Sequence, residues 1–496
     1  MISKRLPCFA VLAVALSATM LPFFVELLVG TPICDSSLFR YIGHRVAAGG
    51  VLYECAWDNK GPALFVPQIL GYLLFPNWEN HGPGFIIMLM CLSSVLMTWK
   101  FARKIGLSRN MAALSSLLYS ISTLACQGLY AQNSQEFIAL FFITAGLGMS
   151  FESIRCFRLI FMGGCAGMVF LIKPNLISFA AASAILWIFD FIAKRDIELL
   201  VRRVVWSALG FFGVLSIATA WFACYGMAYE MWDASLLFGM FEYCHFEQAW
   251  LSWWANKLKG MLSTVGGAFP LLLYFAGMIG AFAGIDQFRR RSELRLFVYF
   301  LSWMLLETVM LFGFKTFYHH YMIVQWLPMA LLLTYIASCD SANRKFILSA
   351  FSLLFAAIVW RYALSAAVFV YHGAVDFSPR REFESKARNI ILPGEKVAAI
   401  GAFYVADVLD VCNAKTIQHF NARMNWKFSK SEMRKLKITS QMRMVLQDKT
   451  IKHLVAPSDT EKFLNDLVFW TGDEAASQVW RLMCAWNGIG IYERKD

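Results

Sequence analysis

Residues 34–62 read CDSSLFRYIGHRVAAGGVLYECAWDNKGP and follow directly on an apolar run at 8–30. Asp35, Glu54, Asp58 and Lys60 crowd this stretch, whereas the chain as a whole is 58% hydrophobic and only 16% charged, with mean hydropathy +0.54. A soluble domain carries about 25% charged residues. The composition is that of a polytopic α-helical membrane protein, and the charged stretch is then a loop at a membrane boundary. Ionisable groups are costly there, so a cluster of them marks a candidate site.

The run at 8–30 follows Lys4 and Arg5, as a signal peptide would. Pro22, Phe23, Phe24 and Glu26 make a poor cleavage site, however, so it reads as an uncleaved span. Further spans are expected at 82–99, 110–128, 134–151, 159–173, 176–193, 204–225, 261–283, 296–313, 321–338 and 346–371, eleven in all. A bilayer needs about 20 apolar residues per helix. The run 62–76 is broken by Pro67 and closed by Pro76. It is short for a span and reads as a re-entrant or interfacial helix, so the first outer loop runs over 31–81.

With the N-terminus in the cytoplasm, the inner loops hold eighteen Lys and Arg and the outer loops seven. That is the positive-inside bias. Counting 62–76 as a span would reverse every later loop. The net charge of +12 therefore sits in short loops between spans and implies no nucleic-acid partner.

An odd number of spans places residues 372–496 outside. This tail is rich in charge, and no window in it could cross a membrane. Residues 395–401 (EKVAAIG), after the Pro393-Gly394 turn, and residues 451–457 (IKHLVAP) read as buried strands; residues 431–446 read as a helix. A soluble α/β domain is expected, and roughly 120 residues suffice for a core of its own. The expected organisation is a transmembrane domain over 1–371 and an extracytoplasmic α/β domain over 372–496.

Twelve cysteines are scattered, many inside spans. Cys34 and Cys55 share the first outer loop and could pair in an oxidising compartment. No CxxC, HExxH, P-loop or dinucleotide fingerprint occurs, so neither a structural zinc nor a nucleotide cofactor is indicated.

The order Asp35, YIGHRVAAGGVLY, WDNKGP and an apolar run to Phe75-Pro76 resembles the first outer loop of the GT-C superfamily. These membrane glycosyltransferases use polyprenyl-phosphate-linked sugars. The resemblance is to the bacterial branch related to protein O-mannosyltransferases and the lipid A aminoarabinose transferase. Two departures stand out: Gly61 replaces a common Pro, and Ser36 follows Asp35 where many relatives have a second acid. A divalent metal is possible in this superfamily, but no ligand cluster supports one here. Gln132–Glu136 (QNSQE), Lys173-Pro174-Asn175, Met231–Ala234 (MWDA) and Phe317–Tyr321 (FYHHY) before Leu327-Pro328 fit the same resemblance, in order and on one side of the membrane.

The resemblance implies roles. A carboxylate within hydrogen-bond reach can take the proton of an acceptor hydroxyl as it attacks the anomeric carbon. Asp35 is the candidate base; the same Asp-Ser-Ser is also a good helix N-cap. The departing lipid phosphate needs fixed cations. Lys60 is the first candidate, with interfacial snorkelling as its alternative. Lys173, His320 and Arg361 follow. Arg361 lies within the last span, where it binds the lipid phosphate, pairs with Glu307 or snorkels outward. Asp58 and Glu54 flank Lys60 and would orient it or bind the acceptor, and Glu136 would bond into the same cavity.

The expected function is an integral membrane glycosyltransferase of the bacterial inner membrane. It would move a sugar, with inversion, from a polyprenyl-phosphate donor to an envelope glycan, lipid or protein on the outer face, with no cofactor. A transporter or flippase of a lipid-linked saccharide is the alternative. It would show paired broken helices in two similar halves, and no such half symmetry is visible. A non-catalytic relative would be expected to have lost Asp35 or Lys60.

Overall fold

The computed structural model describes residues 6–29, 35–55, 58–78, 81–127, 134–151, 154–242, 294–313, 323–339, 378–400, 432–458, 479–486 and 489–495, with 409, 412, 415–416 and 463. In chain order the described helices are α1 (Leu6–Val29), α2 (Asp35–Ala47), α3 (Val66–Leu74), α4 (His81–Lys104), α5 (Arg109–Gln127), α6 (Ser134–Ser150), α7 (Cys156–Ile172), α8 (Ser178–Lys194), α9 (Ile197–Cys224), α10 (Ala228–Trp232), α11 (Leu294–Gly313), α12 (Trp326–Cys339), α13 (Ser378–Ile390) and α14 (Glu432–Gln447). The chain divides into two compact units: Met1–Leu28 with Phe85–Ala220 and Phe246–Ala366, and Val29–Gly84 with Trp221–His245 and Ala367–Asp496.

The first unit is a helical bundle. The expected spans from 82–99 to 204–225, and those at 296–313 and 321–338, fall on α4 to α9, α11 and α12; 8–30 falls on α1. The expected spans at 261–283 and 346–371 lie outside the described residues. Among the described residues, the segments Cys8–Glu26, His81–Lys104, Pro174–Lys194 and Ile197–Cys224 are long and apolar enough to cross a bilayer. Helix α9 shows why water is the wrong solvent for it: Val201, Val204, Val205, Leu209, Phe212 and Ile217 all face outward. An apolar stripe of that size is suited to lipid.

Small residues set the α7–α9 contact. A side chain at Gly163 would overlap the Ser207 carbonyl, and one at Gly210 would overlap the Ile160 carbonyl. The two backbones touch there, as small residues allow when helices pack in lipid.

Helices α8 and α11 run antiparallel, because Ser178 meets Glu307 at one end and Asp190 meets Arg295 at the other. Both stripes have a four-residue period: Ser178, Ala182, Leu186 and Asp190 on α8, all buried, and Arg295, Tyr299, Trp303 and Glu307 on α11. Residues four apart share a helix face. Phe179 packs on Trp303 between the polar ends, with ring centroids 6.3 Å apart.

In the second unit, α3 has nine residues, about 14 Å of helix, far less than the roughly 30 Å of a bilayer core. Its Pro67, Gln68, Gly71 and Tyr72 are buried, while Val66, Leu70, Leu73 and Leu74 are exposed. Gly43 of α2 lies against Gln68, where any side chain would overlap it. Phe39 meets Phe65 edge-on, and His44 stacks on Tyr72 at 4.6 Å.

The C-terminal residues carry strands β1 (Lys396–Ala399), β2 (Lys415–Thr416), β3 (His453–Pro457), β4 (Trp480–Trp486) and β5 (Ile489–Arg494) in one sheet of order β2-β1-β3-β5-β4. β1 pairs in parallel with β2 and β3, and β5 pairs antiparallel with β3 and β4. Met442, Val445 and Leu446 of α14 join Ala398, Leu454 and Tyr492 of the sheet in one apolar core.

Candidate functional site

Asp35 is the first residue of α2, and a carboxylate is favoured in the first turn by the helix dipole. Ser36 through Gly43 are buried, which fixes the helix that presents it. The helix ends at Ala47, and Gly49 closes the turn after it at a φ of 94° that is open to glycine. The chain then turns back through Val51–Cys55, with the Cys55 amide bonded to the Val51 carbonyl at 2.9 Å.

Tyr53 sits inside this turn at φ 71°, a left-handed conformation that a bulky side chain rarely takes. Such strain persists only where the surroundings over-determine it, and here they do. The Tyr53 hydroxyl donates to the Lys60 carbonyl at 2.8 Å, and its ring lies 5.5 Å from that of Phe222. Burial holds the phenol well above its ordinary pKa; the Ser235 hydroxyl beside it works the other way, and the Asp58 charge adds to the rise. Tyr53 is therefore a neutral donor that pins the Lys60 backbone. Sequence reasoning placed it in a motif but gave it no role.

Asp58 is 5% exposed, and its Oδ1 accepts from the Asn59 amide at 2.7 Å. The Asn59 side-chain oxygen in turn accepts from Lys60 Nζ at 2.7 Å. Among the described residues, then, the Lys60 ammonium is held by Asn59, with Asp58 fixing Asn59, and Glu54 is exposed. Asn59 was the missed member. Its amide oxygen supplies the lysine with a neutral acceptor. Asp233, of the Met231–Ala234 motif, is buried at the start of a π-helical segment, Asp233–Glu242. Such turns often mark functional positions.

The bundle unit brings two other candidates together. Glu136 lies in the first turn of α6 and Lys173 at the C-terminal cap of α7, so each charge suits the helix end that carries it. Lys173 Nζ lies 3.2 Å from Glu136 Oε1, with the carboxylate side chain fully buried. Glu307, weighed as a partner for Arg361, accepts from Ser178 and feels the Lys173 charge. His320 and Arg361 lie outside the described residues, as does Cys34. Among the described residues, no three His, Cys, Asp or Glu side chains gather as metal ligands.

No family model matches the sequence, and no curated protein is significantly similar to it. Solved structures are similar over nearly the whole chain. ArnT from Cupriavidus metallidurans bound to undecaprenyl phosphate has a TM-score of 0.63 at 10% identity, covering 99% of this chain and 97% of that one. The apo state of the same protein has a TM-score of 0.60 at 14% identity, covering 98% and 97%. The chain thus shares the fold of ArnT over nearly its whole length.

Proposed function

We propose that the protein is an integral membrane glycosyltransferase that moves a sugar from a polyprenyl-phosphate donor to an envelope glycan, lipid or protein. The observation that carries this reading is the whole-length likeness to an ArnT that binds undecaprenyl phosphate. The presence of Asp35, Asp58 and Lys60 in one unit supports it further. The protein lies in a bacterial inner membrane with eleven spans, its N-terminus in the cytoplasm. Residues 372–496 form an extracytoplasmic α/β domain that helps position the acceptor. The positive-inside charge bias supports this orientation.

In the reaction, the acceptor hydroxyl attacks the anomeric carbon as Asp35 takes its proton. The bond from that carbon to the phosphate oxygen breaks on the opposite face, so configuration inverts and polyprenyl phosphate leaves with the electron pair. Lys60, whose partner Asn59 is neutral, stabilises the charge that develops on the phosphate. Glu54 and Asp58, with Glu136, Lys173, His320 and Arg361, complete the substrate-binding set.

The test is a transfer assay with purified protein in liposomes. It offers radiolabelled polyprenyl-phosphate sugars and a crude envelope acceptor extract to wild type and to Asp35→Asn. Loss of a positioned base costs about 10²- to 10⁴-fold in rate, and donor binding should survive. Transfer unchanged in Asp35→Asn would remove that residue from the mechanism. Movement of the lipid-linked sugar across the bilayer without transfer would establish a flippase instead.

A further inference from the structure

Beside Lys173 the bundle unit holds polar groups on Asn175, Ser178, Glu307 and Gln325 that the reading above gives no role. Ser178 of α8 donates to Glu307 of α11. Gln325, just ahead of α12, donates from Nε2 to Thr308 Oγ1 at 3.3 Å, next to Glu307 in sequence. Lys173 is near enough for its charge to act on Glu307. Glu307 and Gln325 are 0% and 1% exposed. Yet Glu307 Oε1 and Gln325 Oε1 have no hydrogen-bond partner among the described residues, nor does Asn175 Oδ1 in the turn between Lys173 and Ser178. One helical turn from Glu307 on the same face, the Trp303 indole N–H is also buried without a partner. Buried polar groups are almost always paired, so these unmade bonds, on residues linked through the Ser178–Glu307 and Gln325–Thr308 contacts, call for an occupant.

The chemistry of the open positions selects that occupant. They comprise three acceptors and one donor. A phosphate offers no donor to the oxygens, and Glu136 with Glu307 set two carboxyl groups against one ammonium. A metal cation would suit the oxygens but not the indole N–H, and it would face the Lys173 charge. A hydroxyl is neutral and both donates and accepts, and a sugar ring carries several. The half-buried turn Lys173–Asn175 is the part of the cluster open to an approaching group.

We infer that this cluster binds the hydroxyls of the sugar carried by the donor lipid, with Glu307, Asn175 and Gln325 as acceptors. The lipid phosphate is held elsewhere. The inference rests on the transferase reading above. It makes Glu307, Asn175 and Gln325 determinants of which sugar is taken, with the ion pair of Lys173 and Glu136 as the wall of the subsite.

The experiment measures binding of two probes to the full chain in nanodiscs. One is undecaprenyl phosphate, and the other is undecaprenyl phosphate carrying mannose, glucose, arabinose or 4-amino-4-deoxyarabinose. Glu307→Gln should weaken the best glycosylated probe about tenfold, and Asn175→Ala about threefold, as expected for one or two lost hydrogen bonds. Binding of undecaprenyl phosphate should stay within about twofold. Asn175 lies at a half-buried turn, so its variant keeps the test valid should Glu307→Gln fold poorly. Equal losses for both probes, or none for either, would overturn the inference, the second result meaning that water fills the cluster. Wild type that binds neither probe would overturn the transferase reading, and this inference with it.

Discussion

Helices α8 and α11 are tied by polar groups at both ends, and the two ends differ in kind. At one end Asp190 accepts from Arg295 Nε at 2.5 Å, from the Arg295 terminal nitrogen at 2.7 Å and from Arg203 at 2.7 Å. Both carboxylate oxygens are used, and the Arg295 pairing is bidentate. At the other end, twelve residues and about 18 Å along each helix, Glu307 accepts from Ser178 while its second oxygen has no partner among the described residues. One end is chemically saturated and the other is not. A saturated buried network holds helices in register, whereas an unsaturated one is what a ligand requires. The contrast separates a structural role from a binding role at the two ends of one helix pair, with Arg203 of α9 joining the saturated end.

The largest effect should come from breaking the saturated end. Asp190→Ala leaves Arg203, 5% exposed, facing Arg295 with no carboxylate between them. Removing one partner of a buried ion pair costs about 3–5 kcal/mol. Unfolding titrations in mixed detergent micelles should register that loss. A cost under about 1 kcal/mol would mean that the arginines relax to solvent and the end is not a structural tie.

The unsaturated end should be more forgiving. Ser178→Ala removes the donor to Glu307 and leaves both carboxyl oxygens without a protein partner among the described residues. A buried acceptor stripped of its bond costs about 1–3 kcal/mol, measured in the same titration. Bound glycosylated lipid should restore part of that loss, since a ligand of the native state adds stability by mass action. Stabilisation of wild type and variant by equal amounts would argue that the sugar does not reach Glu307.

Much of this architecture was legible in the chain. Long apolar windows located the helices, and the crowding of Asp35, Asp58 and Lys60 singled out the first loop. Lys173 and Glu136 were each nominated from motifs, and the fold puts them in one ion pair. Pairing itself was harder, because it depends on which helix neighbours which. Arg203 and Arg295 were counted as loop charges that orient the protein, yet both are bound to Asp190 on a third helix. Asp190 drew no notice near the end of a span, although its four-residue spacing from Ser178, Ala182 and Leu186 puts it on the buried face. The β4–β5 hairpin was also missed. Its signal was present, since Asn487-Gly488 between two apolar runs is a strong hairpin sequence. Asn59 could not have been found by charge, because its contribution is a neutral amide.

The smallest expected effect is also the most discriminating. In Asp190→Leu/Arg203→Met/Arg295→Met all three charges leave together, so no uncompensated ion is buried. The desolvation cost of the triad disappears along with its attraction. Replacing a buried ion network by apolar groups of similar volume is often neutral or stabilising, so the triple variant should unfold within about 1 kcal/mol of wild type. Its distance from the single Asp190→Ala loss measures the penalty of the stranded arginines, not the worth of the intact triad. Donor binding should be untouched, because Ser178, Glu307 and Asn175 lie at the far end of the same helices or in the turn before them. If the triple variant instead lost donor affinity while remaining folded, the two ends would be coupled through α8 and α11. The saturated end would then belong to the site, as an element that sets the register of Ser178 against Glu307.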